Sequence, residues 1–303
     1  MVAYRPLLEV LRFLGFSEVL LCSQVCSFWR KVADSDELWQ SIGALTCFQC
    51  TSKQEFRGAF YQSSLFVSER RLFGVYNCLQ STWERIAIEK RIHFSHSRSH
   101  VVLPDGLMVI CGGTHKHTYT YSLLTRHLKE VKPMLRRRQS PGLCCDNNFV
   151  YAFGGSFSVA FSSCEKLSLQ SWTWSEMPDM QIARNRVSSC RLGNVIFLCG
   201  GREAGCECEQ YDILRNEFTL LALKLTHEPR FAVIIDCALV VVTTETIYRN
   251  GQETPHRVDQ WYICSGMQPV VLSQTVLFSR NWDTIYSLNL QTFDFKQVFP
   301  SIS

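Results

Sequence analysis

Charge is scarce in this chain. Only 19% of its 303 residues are charged, and the formal net charge is +4. Without a localised basic face, that balance is too weak to argue for nucleic acid as a partner. No apolar run is long enough to span a bilayer; the longest, residues 231–242, is interrupted by Asp236. The N-terminus lacks the charged, apolar and small-residue zones of a signal peptide. A Gly-rich phosphate loop and a nucleophile elbow are both missing. An enzyme would therefore need a constellation assembled from distant loops, which only geometry reveals.

Metal-ligand sets are incomplete as well. His93, His96 and His100 have a spacing that suits ligation on a helix, but Ser and Arg lie between them and no nearby acid completes a set. Cys47 and Cys50 make a lone Cys-x-x-Cys, half of what a structural zinc site needs. The expectation is no metal and no cofactor. The chain has 15 cysteines, an odd count, scattered through apparent strands as in Cys111, Cys199 and Cys237. They read as reduced core thiols of a cytoplasmic or nuclear protein.

What the chain has in quantity is apolar residues, 46%. That suits a packed protein with a small module and one large domain. The small module comes first. Leu7, Val10, Leu11 and Leu14 fall at i, i+3, i+4 and i+7, one stripe of a short helix opened near Pro6 and ended at Gly15. Ser17 can cap a second helix carrying Leu20, Leu21 and Val25. A third carries Phe28, Trp29 and Val32, and Asp34 with Glu37 suggests a capping box before Leu38 and Trp39. Such short helices are unstable alone, and their apolar side chains exceed what a three-helix knot can bury, which points to a partner.

This stretch resembles an F-box, on Phe13-Leu14, Val25-Cys26, Trp29-Arg30 and Leu38-Trp39. The family's usual Leu-Pro opening would fall on Val2 and Ala3. The resemblance implies docking to a Skp-type adaptor and through it to a cullin. The residues expected there are Leu7, Leu8, Val10, Leu11, Leu14, Leu20, Leu21, Val25, Trp29 and Trp39, some of which must form the module's own core. The expected domains are 1–45 for this all-α module, 46–64 for a partly helical connector, and 65–303 for an all-β domain.

From Leu65 the texture changes to short β-rich runs. Residues 109–113, 151–155 and 197–201 are apolar strands that each end in a Gly pair. Pairs of bulky residues seven apart follow: Tyr76 and Trp83, Tyr121 and Leu128, Leu167 and Trp174, Tyr211 and Phe218, Leu288 and Phe295. Their first members recur at intervals of 45, 46, 44 and 77, the last leaving room for one shortened unit. A period near 45 with several strands per unit predicts propeller blades, six in all. The first unit lacks an obvious opening strand. These units resemble kelch repeats, so the chain as a whole is similar to F-box proteins with a six-bladed kelch-type propeller.

Sixteen residues before each Gly pair stand His96, Arg138 and Arg184. The kelch resemblance implies that basic residues there line the channel rim and bind a protein substrate. Arg202 and Arg230 are placed with them, because guanidiniums bind carboxylate or phosphate bidentately. The leading expectation is a non-enzymatic substrate receptor of a ubiquitin ligase, acting with an adaptor, a cullin and a protein substrate, without nucleic acid or membrane. An interaction scaffold without ubiquitin transfer and a metal-dependent propeller enzyme are the alternatives.

Overall fold

The computed structural model describes Ser35, Leu38 and residues 64–69, 72–77, 82–85, 98–202, 204–223, 225–257, 269–272, 275–281, 284–292 and 295–299. The adaptor-docking residues Leu7, Leu8, Val10, Leu11, Leu14, Leu20, Leu21, Val25, Trp29 and Trp39 lie outside this set, as do Cys47, Cys50, His93 and His96. Leu38 is helical and fully buried.

The first sheet has three strands, β1 (Ser64–Glu69), β2 (Leu72–Asn77) and β3 (Thr82–Arg85). Next come β4 (Arg98–Val102), β5 (Leu107–Gly112), β6 (Thr118–Ser122) and β7 (Leu128–Val131). The following sheet begins with β8 (Gly142–Cys145) and β9 (Phe149–Phe153). A small hairpin, β10 (Ser156–Phe157) and β11 (Val159–Ala160), interrupts it before β12 (Cys164–Ser168) and β13 (Trp174–Met177). Then follow β14 (Ser188–Leu192), β15 (Val195–Cys199), β16 (Cys208–Asp212) and β17 (Glu217–Leu220). The last two sheets are β18 (Pro229–Ile235), β19 (Ala238–Thr243), β20 (Thr246–Arg249) and β21 (Gln252–Arg257), and β22 (Val270–Leu272), β23 (Thr275–Asn281), β24 (Thr284–Asn289) and β25 (Phe295–Phe299). Apart from the inserted hairpin, strands pair antiparallel with their neighbours in chain order.

The expected six blades are corrected to five. Five sheets have four strands, and their first strands β4, β8, β14, β18 and β22 line a central channel. Among the described residues the first unit supplies β1–β3, none of which lines the channel. The C-terminal residues build their own sheet, β22–β25, in sequence order.

The seven-residue spacing is a hairpin register. Tyr121 lies opposite Leu128, Leu167 opposite Trp174, Tyr211 opposite Phe218, Leu288 opposite Phe295 and Tyr76 opposite Trp83. The residue after each first member sets the turn. Ser122 Oγ accepts from Thr125 N–H, Ser168 Oγ from Ser171 N–H, Asp212 Oδ1 from Leu214 and Arg215 N–H, and Asn289 Oδ1 from Gln291 and Thr292 N–H. Arg126, Trp172 and Asn216 then take positive φ of 57°, 55° and 58°, which returns the chain to the next strand.

The core lies between blades. Tyr151 and Phe153 of β9 pack with Ile196, Leu198, Tyr211 and Phe218 of the next blade. Val150, Leu167 and Trp174 likewise pack with Val101, Val109 and Cys111 of the blade before. Trp174 Nε1 donates to Thr118 Oγ1 of that same blade at 3.1 Å. Burying a side chain of this size contributes roughly 1.5–3 kcal/mol, so each blade depends on its neighbours for a core. The shortened fifth unit has a cause: Asn250 and Gly251, at φ 48° and 80°, make a two-residue turn between β20 and β21 where other units use a longer one.

Candidate protein-binding face

The Gly pairs seat the chain of the following blade. Gly112, Gly154 and Gly200 have φ of +88°, +58° and +71°, and a Cβ on them would collide with the carbonyls of Arg138, Arg184 and Pro229. Gly113 N–H donates to Arg138 O at 2.7 Å and Gly155 N–H to Arg184 O at 2.9 Å. The connector entering each blade therefore crosses the Gly pair of the blade before it.

From that crossing the arginine side chains turn inward. Arg138 Nε donates to Glu165 Oε1 at 2.6 Å, and its Nη1 donates to Gly154 O and Ser163 O at 2.8 and 2.6 Å. Arg184 repeats this with Glu209 Oε1 at 3.1 Å, Gly200 O at 2.7 Å and Glu207 O at 2.8 Å. Arg184 Nη2 is also 3.0 Å from Glu209 Oε1, an ion-pair contact without hydrogen-bond alignment. The carboxylates gather backbone donors of the same connectors: Leu135 N–H onto Glu165, Gln181 and Ile182 N–H onto Glu209.

Arg138 and Arg184 are 1% and 0% exposed, and their Glu partners are as deeply buried. The expectation set these arginines on the channel rim; in the structure Nε and Nη1 of each bond inside the fold, holding connector to blade. Arg230 is half-buried and Arg202 is exposed, while His96 lies outside the described residues. The sequence reading missed Arg98. Its Nη1 donates to His117 O at 3.3 Å, the carbonyl matching Ser163 and Glu207 in the later blades. Its guanidinium lies 5.0 Å from the centre of the Tyr119 ring, and Tyr119 occupies the place of Glu165 and Glu209. The available signal was on the third strand, where Tyr119, Glu165 and Glu209 each precede the repeated bulky residue by two.

The face formed by these connectors is basic where it meets solvent. Lys116, Arg136, Arg137 and Arg202 are exposed. Arg136 pairs with Glu176 at 3.3 Å; the other three have no ion pair among the described residues. The tip of hairpin β10–β11 rises from the same face.

The channel itself has a volume of about 310 Å³. His100, Cys144, Cys145, Cys190 and Arg191 are on its wall, with Arg191 Nη1 donating to Cys145 O at 3.3 Å. Burial pushes Cys145 up to about 12 and Cys144 well above the usual thiol range, which keeps them protonated and unreactive. Burial also depresses His100 to about 4. The nine described cysteines are free. Among the described residues no group of three His, Cys, Asp or Glu is placed to hold a metal, and no helix is long and apolar enough to cross a membrane.

Comparison with known proteins agrees with this organisation. An F-box-like family model matches residues 6–43, and a Kelch motif matches residues 137–181, from the connector at Arg138 through β13. No curated protein matches the chain. The solved structure titled "Structure of YjhT" superposes with a TM-score of 0.61, covering 78% of this chain and 96% of that one at 8% identity. That identity speaks to the propeller fold alone. The chain thus carries an F-box-like segment ahead of a propeller with a kelch motif, the organisation of an F-box protein with kelch repeats.

Proposed function

We propose that this chain is the substrate-recognition subunit of an SCF-type ubiquitin ligase. Residues 1–45 dock a Skp-type adaptor and through it a cullin, 46–64 connect, and the propeller from residue 65 binds a protein substrate. The observation that carries the reading is the F-box-like segment at 6–43 in one chain with a propeller, an architecture typical of non-catalytic adaptors. The chain then contributes no catalytic residue. It raises the effective concentration of a substrate lysine near a charged conjugating enzyme. Its place of work is the cytoplasm or nucleus.

The test is capture of purified adaptor and cullin by the full chain, beside a Leu20→Asp/Leu21→Asp variant. The expected result is a ternary complex with the wild type and none with the variant, both retaining the same propeller melting transition. A well-folded wild type that captures no adaptor would leave the interaction scaffold as the better reading.

A further inference from the structure

Hairpin β10–β11 is an insertion between the second and third strands of its blade, and no other described blade has one. Its base is fixed. Gln139 and Ser156 exchange backbone hydrogen bonds of 2.9 and 3.0 Å, tying it to the connector of its own blade. Arg184 N–H donates to Phe161 O at 3.0 Å, tying it to the connector of the next blade.

The tip is strained and apolar. Phe157 pairs directly with Val159, leaving Ser158 alone to turn the chain at φ 77°. A positive φ is uncommon for a non-glycine residue and persists where the surroundings impose it. The residues the turn holds outward are Phe157, 44% exposed, and Val159, 67% exposed. A fold that needed only to join β9 to β12 would not use a strained turn to show two apolar side chains to water.

One cation lies against the tip, and two more stand in the adjoining loops. The Arg137 guanidinium lies 5.6 Å from the centre of the Phe157 ring. Lys116 belongs to the loop whose carbonyl accepts from Met134 N–H, on the connector that carries Arg136 and Arg137. Arg202 N–H bonds to Asn185 O, one residue beyond the connector arginine that anchors the hairpin. Glu176 is taken up by Arg136, and the exposed Asp179 accepts from Ser162 Oγ at 3.4 Å beside the hairpin's base, which leaves Arg137 as the charge at the tip itself.

We propose that the Phe157–Val159 tip, with Arg137 against it and Lys116 and Arg202 in the loops bonded to the same connectors, is the docking point for an acidic segment of a partner protein that carries an apolar side chain. The apolar side chain packs on Phe157 and Val159, and the carboxylates pair with the unpaired cations. This rests on reading the propeller as the protein-binding half of the chain. Two exposed apolar side chains at the centre favour a protein over nucleic acid, which would need stacking platforms along a continuous basic track.

The test uses the full chain and a displayed library of random twelve-residue peptides, with Phe157→Ser/Val159→Ser and Arg137→Glu as variants. The substitutions lie at exposed positions, and unchanged melting transitions confirm intact folds. Enriched peptides are expected to combine acidic residues with at least one Leu, Ile or Phe. Binding should fall roughly tenfold or more in the double Ser variant, the effect of losing a central anchor, and fall again in Arg137→Glu. No enrichment, enrichment of basic peptides, or binding unchanged in the double variant overturns the proposal. So does equal binding of single-stranded DNA of matching charge, or a wild-type dimer that the double variant converts to monomer. Adaptor capture on the same preparations separates the two readings. Peptide binding without adaptor capture removes the ligase role and leaves this surface standing, whereas capture without peptide binding removes only this surface.

Discussion

The blades β8–β13 and β14–β17 fasten their incoming connectors with a buried guanidinium–carboxylate pair, whereas β4–β7 sets Arg98 over the Tyr119 ring in the matching place. In β18–β21 the third-strand position is Thr246 and the nearby Arg230 is half-buried. The backbone job is the same in the first three: one guanidinium nitrogen reaches the carbonyl two residues before the third-strand partner. What differs is the group left behind if the arginine goes. A stranded carboxylate at 0% exposure has neither water nor a cation, while a stranded phenol remains a good core side chain. The difference also explains the sequence: the two blades with the ion pair keep the Gly pair followed by Glu, and the blade without it drifts in register.

The largest effect should come from splitting an ion pair. Arg184→Met, or Glu209→Ala, should lower stability by about 3–5 kcal/mol, because either leaves one charge buried and unpaired. The double replacement Arg184→Met/Glu209→Leu should cost less than either single change. Denaturant melts of all three variants measure this. Singles that cost under about 1 kcal/mol would break the comparison, since Arg184 would then be no better anchored than Arg98.

Much of this arrangement was legible in the sequence. The Gly pairs and the seven-residue spacing gave the strands, and the structure turns both into registers: Gly154 under the Arg184 carbonyl, Tyr211 opposite Phe218. The blade count was not legible, because aromatic positions mark the third and fourth strands and say nothing of a first. Tyr76 and Trp83 are paired across β2 and β3 in a unit none of whose described strands lines the channel. The setting of Arg138 and Arg184 was not legible for a related reason. Spacing places a residue along a strand, but whether its side chain meets solvent or a buried acid depends on Glu165 and Glu209, 27 and 25 residues away. The hairpin was missed because residues 156–160 are too few to read as two strands: each strand has two residues, and Ser158 alone, at φ 77°, makes the turn. The Asn250-Gly251 turn could have been found from its dipeptide.

A pH effect of intermediate size distinguishes the channel wall of the Tyr119 blade from its neighbours. There β4 contributes His100 to the wall, whereas β8 and β14 contribute the thiols Cys144, Cys145 and Cys190. Burial lowers His100 to about 4 in the fold, against an ordinary value of 6.5. Between those values the unfolded chain binds the proton more readily, so stability is full above about pH 6.5 and falls as the pH drops towards 4. At pH 5 the loss should be at most about 2 kcal/mol, given partial exposure of the ring to the channel. His100→Gln should flatten this part of the stability profile. A variant whose profile between pH 7 and 5 parallels the wild type would show that the imidazole is solvated after all.

The smallest effect returns to the fastening itself. Arg98→Met keeps most of the side-chain volume and removes the contact with the Tyr119 ring and the bond to His117 O. A partly desolvated cation–ring contact contributes about 1–2 kcal/mol, and the 3.3 Å bond to His117 O adds little. Offsetting this, the change removes the cost of burying a guanidinium, a cost visible in the lowered Arg98 pKa, where burial outweighs the support from Tyr119. The net loss should therefore be about 1 kcal/mol, several times smaller than for the same replacement at Arg184. Equal losses at the two positions would mean that the guanidinium, rather than the group it leaves behind, sets the energy of the fastening. Unequal losses in the expected order would explain why the first complete blade tolerates Tyr119 where the next two keep glutamate: once the carboxylate is gone, the arginine is worth little more than its packing.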